Sequence, residues 1–192
     1  MSLRNTTESW GALAKGFHWL IAVLVLIMIA VGWTANLMPR GPLRIELFSW
    51  HKSTGLVVLA LMSARLLWRL VNPTPILPPA LKGWEKLMAR AVHWLLYAVV
   101  FAMPVSGYVI TSAANSPFKF FKTFTVPMLV PPDKALRHTA ADAHEWAFWI
   151  LAGLLVLHAG AALRHHFLLK NDVLVRMLPG PGRRKMTQET KP

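Results

Sequence analysis

The sequence predicts an all-α integral membrane protein in which four helices cross the bilayer as a bundle. Of its 192 residues, 55% are hydrophobic and 15% are charged, whereas a soluble domain carries about 25% charged residues. Its mean hydropathy of +0.43 agrees with a lipid environment. Four apolar stretches are long enough to cross roughly 30 Å of hydrocarbon, which takes about 20 helical residues. We expect the spans near residues 17–36, 47–71, 88–112 and 140–163.

These spans divide the chain into three parts. Residues 1–16 are polar or small and are expected to form a cytoplasmic segment, and the apolar run that follows lacks the small-residue cleavage pattern of a signal peptide. Residues 17–179 contain the spans, and the proline-rich stretch 72–83 predicts a turn between the second and third. Pro104 lies inside the third span, where a proline is tolerated and is expected to kink the helix. Residues 180–192 are predicted to form a disordered cytoplasmic tail.

The basic residues predict the orientation of the bundle. The net charge is +13, from 21 Lys and Arg against 8 Asp and Glu. In a soluble protein this excess would suggest nucleic acid, but here the basic residues flank apolar spans, where they favour anionic lipid headgroups. Fourteen of them lie on the side of the termini and seven on the other side. Both termini should therefore face the cytoplasm. The seven on the outer side are Arg40, Arg44, Lys52, Lys119, Lys122, Lys134 and Arg137.

Four histidines inside the spans indicate a metal cofactor. Ionisable groups within a span are costly and usually functional, and the absence of cysteine excludes iron–sulfur clusters and covalent haem attachment. His18 lies at the cytoplasmic start of span one, and His51 lies near the outer start of span two. His144 and His158 are fourteen residues apart in span four, which places them on the same helix face, about 21 Å apart along the axis.

Depth in the membrane pairs these four histidines. His158 shares the cytoplasmic half with His18, and His144 shares the outer half with His51. Each pair could bind the iron of one flat macrocycle from opposite faces, which is the bis-imidazole arrangement of an electron-transfer haem. We therefore predict two haem b groups, with each imidazole donating its Nδ1–H to a nearby carbonyl. The alternative for a single histidine is a hydrogen bond between helices.

Three further residues lie on the predicted haem-facing sides. Arg65 and Arg69 follow His51 by fourteen and eighteen residues, so that either guanidinium could bind a haem propionate at the cytoplasmic level. The alternative is that both side chains extend to the headgroups. Gly32 follows His18 by fourteen residues and would leave room for a macrocycle edge, although small residues also serve helix packing.

Three further histidines lie at the cytoplasmic ends of spans three and four, and one of them, His93, has no partner of matching depth left. His93, at the cytoplasmic start of span three, is interpreted as an interfacial residue or a neighbour of a propionate or a quinone. His165 and His166 follow at the cytoplasmic end of span four, and we expect at least one of them, His165 in the first place, to contact quinone.

The order of the motifs resembles the bacterial cytochrome b561 family from residue 17 to residue 179. The matching segments are FHWL with His18, WHKSTG with His51, ARLLWRLVNPTP, HWLLYAVVFAMPVSGYV, AHEW with His144, LHAGAALRHHF with His158, and KNDVLVRMLP. The resemblance implies a di-haem protein of the bacterial inner membrane. It also implies that His18, His51, His144 and His158 are the axial ligands.

The same resemblance implies electron transfer linked to the quinone pool. Some members oxidise superoxide at the periplasmic face and reduce ubiquinone, which would make this chain a superoxide:quinone oxidoreductase. The basic loop between spans three and four could steer the anion, or it could be an ordinary solvated loop; its cations are Lys119, Lys122, Lys134 and Arg137. Two alternatives stay open, a cytochrome b anchor subunit of a hydrogenase or dehydrogenase, and a proton-coupled transporter that would be colourless.

Overall fold

Four long helices make up most of the molecule, as the sequence predicts. The computed structural model describes residues 2–77 and 81–180, so that all of the predicted tail after Gly180 lies outside the described residues. The helices are α1 (Ala12–Leu37), α2 (Pro42–Val71), α3 (Gly83–Ala113) and α4 (Lys134–Phe167). Two short antiparallel strands and a 3-10 turn complete the described part; they are β1 (Lys119–Phe120), β2 (Phe124–Thr125) and Val175–Met177.

Each helix is long and apolar enough to cross a membrane, which confirms the prediction of four spans. The helices contain 26, 30, 31 and 34 residues and therefore extend beyond the apolar stretches. Hydropathy marks where the hydrocarbon ends, whereas a helix continues until its backbone is capped. The start of α4 shows this, because the Asp133 side chain accepts a hydrogen bond from the Leu136 amide at 3.0 Å. Pro104 lies within α3 without ending it.

The helices pack in chain order, α1 against α2, α2 against α3 and α3 against α4. A buried apolar cluster at mid-height joins all four; its members are Ile21, Val25, Val58, Met62, Tyr97, Val100 and Leu151. Large apolar side chains on the opposite helix faces are exposed, as expected of surfaces that face lipid. The apolar cluster separates two regions where polar side chains enter the bundle, one towards each end.

One end of the bundle, which we call the hairpin end, carries the connectors α1–α2 and α3–α4. The α3–α4 connector contains β1 and β2 and is attached to the helices by hydrogen bonds. Ser53 of α2 is fully buried, and its hydroxyl accepts the Phe121 amide at 3.1 Å. On α3, Ser112 accepts the Leu129 amide at 3.3 Å, and the Tyr108 hydroxyl donates to the Pro127 carbonyl. The connector therefore covers this end of the bundle.

The other end, which we call the terminal end, holds the α2–α3 connector and both terminal segments. The buried Lys15 donates to the Leu178 carbonyl at 3.0 Å, and the Trp19 indole donates to the Met177 carbonyl at 2.8 Å. The Arg176 guanidinium reaches the Ile76 carbonyl at 3.1 Å. The C-terminal segment is thus bound across the start of α1.

Candidate functional site

Three histidine rings converge at the terminal end of the bundle. The ring centroids of His18 on α1 and His158 on α4 are 6.1 Å apart, with the ring planes at 70°. These are the two residues that the sequence pairs by depth. The ring of His93 on α3 lies even closer to His158, at 5.1 Å and 87°. Sequence reasoning left His93 without a partner because it compared depths only and had already assigned His158.

A second pair of rings lies at the hairpin end. The centroids of His51 on α2 and His144 on α4 are 6.5 Å apart, with the ring planes at 70°. A first-row metal ion bonds an imidazole nitrogen at about 2 Å. Two imidazoles on opposite sides of one iron therefore have centroids about 6 Å apart. The spacing of both predicted pairs fits axial ligation of a haem iron.

His51 and His144 both line a cavity of about 450 Å³. Sites for organic cofactors usually measure about 300–1,000 Å³ and are mostly apolar with a few polar groups. The walls here match that description, since residues such as Val25, Ile29 and Leu151 form the body of the cavity. Besides the two histidines and the indoles of Trp33 and Trp149, its polar lining comes from a small set of side chains, namely Asn36, Lys52, Tyr108, Thr111 and Glu145. An apolar macrocycle with charged edge groups fits this distribution.

Two glycines make room for the rings at the hairpin end. A Cβ atom on Gly32 of α1 would lie 2.8 Å from Cε1 of His51, closer than van der Waals contact allows. A Cβ on Gly107 of α3 would lie 3.3 Å from Cε1 of His144. The sequence predicts space at Gly32 for a macrocycle edge, and the structure places the His51 ring itself against that space. Gly107 was missed, although a glycine near the outer end of span three, on a helix without a histidine at that depth, was a usable signal.

The four paired rings differ in what their Nδ1 atoms contact. Nδ1 of His144 donates to the Met103 carbonyl at 3.0 Å, with the Ser106 hydroxyl also at 3.0 Å. This contact is of the kind expected for a ring bound to iron through Nε2. Nδ1 of His18 instead faces the Arg65 guanidinium at 3.2 Å. Nδ1 of His51 is buried and has no hydrogen-bond partner in the part of the chain that the structure describes.

Arg65 and Arg69 lie together beside the terminal-end histidines, on the side that the sequence predicts. Arg65 stacks over the Tyr97 ring at 5.4 Å, and Arg69 lies 5.2 Å from the Trp94 ring. Neither guanidinium forms an ion pair with a carboxylate of residues 2–77 or 81–180. Two cations are therefore available here to an anionic group of a bound molecule.

His165 lies on the last turn of α4, away from these ring pairs. It is buried, and its Nδ1 accepts a hydrogen bond from the Asn171 amide at 2.8 Å. The Asn171 backbone amide also donates to the His165 carbonyl at 3.0 Å. His165 does not line the 450 Å³ cavity, so that its predicted contact with quinone stays a prediction.

Known proteins resemble the chain over nearly its whole length. A family model described as prokaryotic cytochrome b561 matches residues 9–180. Cytochrome b561 homolog 2 of Escherichia coli (strain K12) is 37% identical over 179 residues, which cover 93% of this chain and 95% of that protein. A Yersinia pestis protein named probable superoxide oxidase CybB is 30% identical over 180 residues, covering 90% of this chain and 97% of its own. Cytochrome b561 homolog 1 of Escherichia coli is 30% identical over 165 residues, covering 84% and 92%.

Proposed function

The chain belongs to the prokaryotic cytochrome b561 family of multi-pass, haem b-binding electron-transfer proteins, and from this premise we propose that it holds two haems and passes electrons to quinone. Family membership separates it from the proton-coupled transporters. The proposal assigns one haem to each end of the bundle.

The observation that carries the proposal is the presence of two histidine pairs at opposite ends of one bundle. Their ring centroids are 6.1 Å and 6.5 Å apart, close to the separation that one iron requires. Haems held by these residues would act as one-electron carriers, because an iron bound by two histidines would change oxidation state without binding small ligands. His18 and His158 are the proposed ligands at the terminal end, and His51 and His144 at the hairpin end.

Other side chains and carbonyls of the protein are proposed to orient the histidine ligands and to pair with the charges of the haem propionates. The Met103 carbonyl holds the ring of His144 through its Nδ1, which fixes the tautomer that leaves Nε2 free for iron. Arg65 and Arg69 are the proposed partners of propionates at the terminal end, because no described carboxylate neutralises them. His165, on the same end, is the proposed contact for ubiquinone.

We place the protein in the bacterial inner membrane with both termini in the cytoplasm, from the fourteen basic residues on the terminal side against seven on the other. Alkaline phosphatase folds only after export, so that a fusion after residue 179 is expected to be inactive. A fusion after Arg40, in the α1–α2 connector, is the matched control and is expected to be active. An active fusion after residue 179 together with an inactive one after Arg40 would reverse the orientation.

Superoxide is the proposed electron donor at the hairpin end. The support is the similarity to a relative named probable superoxide oxidase and the charge of this end. Seven basic and four acidic side chains give it a formal charge of +3; the acidic ones are Glu46, Asp133, Asp142 and Glu145. Two superoxide anions would each give up one electron and leave as dioxygen. One quinone would take both electrons and two protons to become quinol.

Charge reversal on the α3–α4 connector and the start of α4 tests this donor. Lys119, Lys134 and Arg137 are exposed, whereas Lys122 forms an ion pair with Glu46 and is left in place. Changing the three exposed cations to glutamate moves the formal charge of this end from +3 to −3. Electrostatic steering raises association rates by about 10- to 1,000-fold, so we expect haem reduction by superoxide to slow at least tenfold at low salt.

The reduced haem spectrum of this triple variant should equal that of the parent, which serves as the control for folding. The difference in rate should shrink as salt rises, because the Debye length falls to about 8 Å at 0.15 M. Equal rates for the two proteins at low salt would contradict steering. A parent protein that superoxide does not reduce would exclude superoxide as the donor while leaving the haem sites in place.

A further inference from the structure

We propose that Lys52 binds a carboxylate of the haem at the hairpin end, so that one propionate of that haem lies against its ammonium group. This inference rests on the proposed function, because it assumes that His51 and His144 hold a haem. It adds a cofactor-binding residue that neither the sequence patterns nor the comparisons assign.

Lys52 follows His51 directly on α2, and its side chain lines the same 450 Å³ cavity. Its Nζ lies 5.4 Å from the ring centroid of Phe118, a buried residue at the start of the α3–α4 connector. The connector is itself attached to α2 through Ser53. The ammonium group is therefore held between the cavity and the connector that covers it.

The charge of Lys52 has no counter-ion among the described residues. None of their ion pairs includes Lys52, and Glu145, the carboxylate that also lines the cavity, does not pair with it. A charge that is partly withdrawn from water is costly unless it is paired. A ligand that brings an anionic group to this part of the cavity would satisfy the ammonium group.

The shape of the cavity indicates which anionic group this is. Its walls are mostly apolar, and Lys52 is the cation among its lining residues. A haem presents the matching pattern, an apolar plate with two carboxylates on one edge. Lys52 would then have at the hairpin end the role that Arg65 and Arg69 are proposed to have at the terminal end.

Substitution at Lys52 tests the proposal in the purified holoprotein. Lys52→Met removes the charge and keeps the length of the side chain, whereas Lys52→Arg keeps the charge. Because a nearby cation stabilises the reduced haem, we expect Lys52→Met to lower the midpoint potential of the hairpin-end haem. A tenfold shift of the oxidation equilibrium is expected, which is about 59 mV for one electron. Lys52→Arg should restore most of it.

Two controls show which haem and which charge are involved. Arg40→Met removes a cation from an exposed position on the same end that does not line the cavity, and it should leave both potentials unchanged. Combined with His144→Ala, which keeps only the terminal-end haem, Lys52→Met should have no effect on the remaining potential.

Reconstitution with the dimethyl ester of haem b tests whether a carboxylate of the haem takes part in binding. The experiment compares the ester with haem b in the parent and in Lys52→Arg, so it does not depend on the yield of folded Lys52→Met. In the parent, the ester should bind the hairpin-end site at least tenfold more weakly than haem b. Equal binding of the two, or an unchanged potential in Lys52→Met, would overturn the proposal. Absence of haem from the parent would instead contradict the proposed function.

Discussion

Replacing His144 by alanine is expected to lower the haem content from two per chain to one. His144 supplies one of the two rings at the hairpin end, and the nearest ring, that of His51, cannot occupy both faces of the macrocycle. Even the loss of a hydrogen bond to a metal-ligating histidine costs about 10- to 100-fold in affinity, so that loss of the ligand should empty the site. A pyridine haemochrome assay on the purified variant measures the change.

The matching substitution at the other end is His158→Ala, which is expected to remove the terminal-end haem and to leave the other spectrum intact. If both variants lost the same haem, the pairing would be wrong. His93→Ala is a sharper control, because the His93 ring is nearer to His158 than the His18 ring is. We expect His93→Ala to keep both haems. Loss of the terminal-end haem in His93→Ala, with its retention in His18→Ala, would assign His93 as the ligand.

The second large effect is expected from Gly32→Ala. The added methyl group would lie 2.8 Å from Cε1 and 3.2 Å from Nδ1 of His51, so that the ring has to move. Overfilling a packed site costs about 1–3 kcal/mol, and about 1.4 kcal/mol corresponds to a tenfold change in binding. We therefore expect the hairpin-end haem to bind about 5- to 150-fold more weakly, as measured by haem transfer to apomyoglobin.

Gly153→Ala is the matched control for this substitution. Gly153 lies on α4, is exposed and has no atom within 4 Å of an added Cβ. Alanine favours a helix over glycine by about 1 kcal/mol, so that this variant should keep both haems and be at least as stable as the parent. If Gly32→Ala retained the hairpin-end haem as tightly as Gly153→Ala does, Gly32 would have no part in positioning His51.

Much of this arrangement could be predicted from the sequence, because the number of residues between two positions on a helix gives the difference in their depth in the membrane. Hydropathy gives the number of spans, and a fixed rise per residue then gives the height of each side chain. The contacts of His18 with His158 and of His51 with His144 follow the predicted pairing for that reason. Arg65 and Arg69 also lie beside the histidines, because fourteen and eighteen residues are close to whole numbers of helical turns.

The contacts that could not be predicted from the sequence depend on how neighbouring helices are rotated and packed. The approach of His93 to His158 requires knowing that α3 and α4 are neighbours and which of their faces meet. The contact between Gly32 and His51 likewise joins α1 to α2. The contact of Lys52 with the Phe118 ring joins α2 to a connector whose two short strands have no sequence pattern that reveals them. Such contacts join residues far apart in the sequence and arise only from the packed bundle.

The measurement that tests the central claim most directly is the ratio of haem to protein in the purified, detergent-solubilised chain. We expect two haem b per chain, with a ferrous spectrum that carbon monoxide does not change, because two histidines would occupy the positions on each iron that carbon monoxide needs. One haem per chain, or a ferrous form that binds carbon monoxide readily, would contradict the proposed pairs of His18 with His158 and His51 with His144.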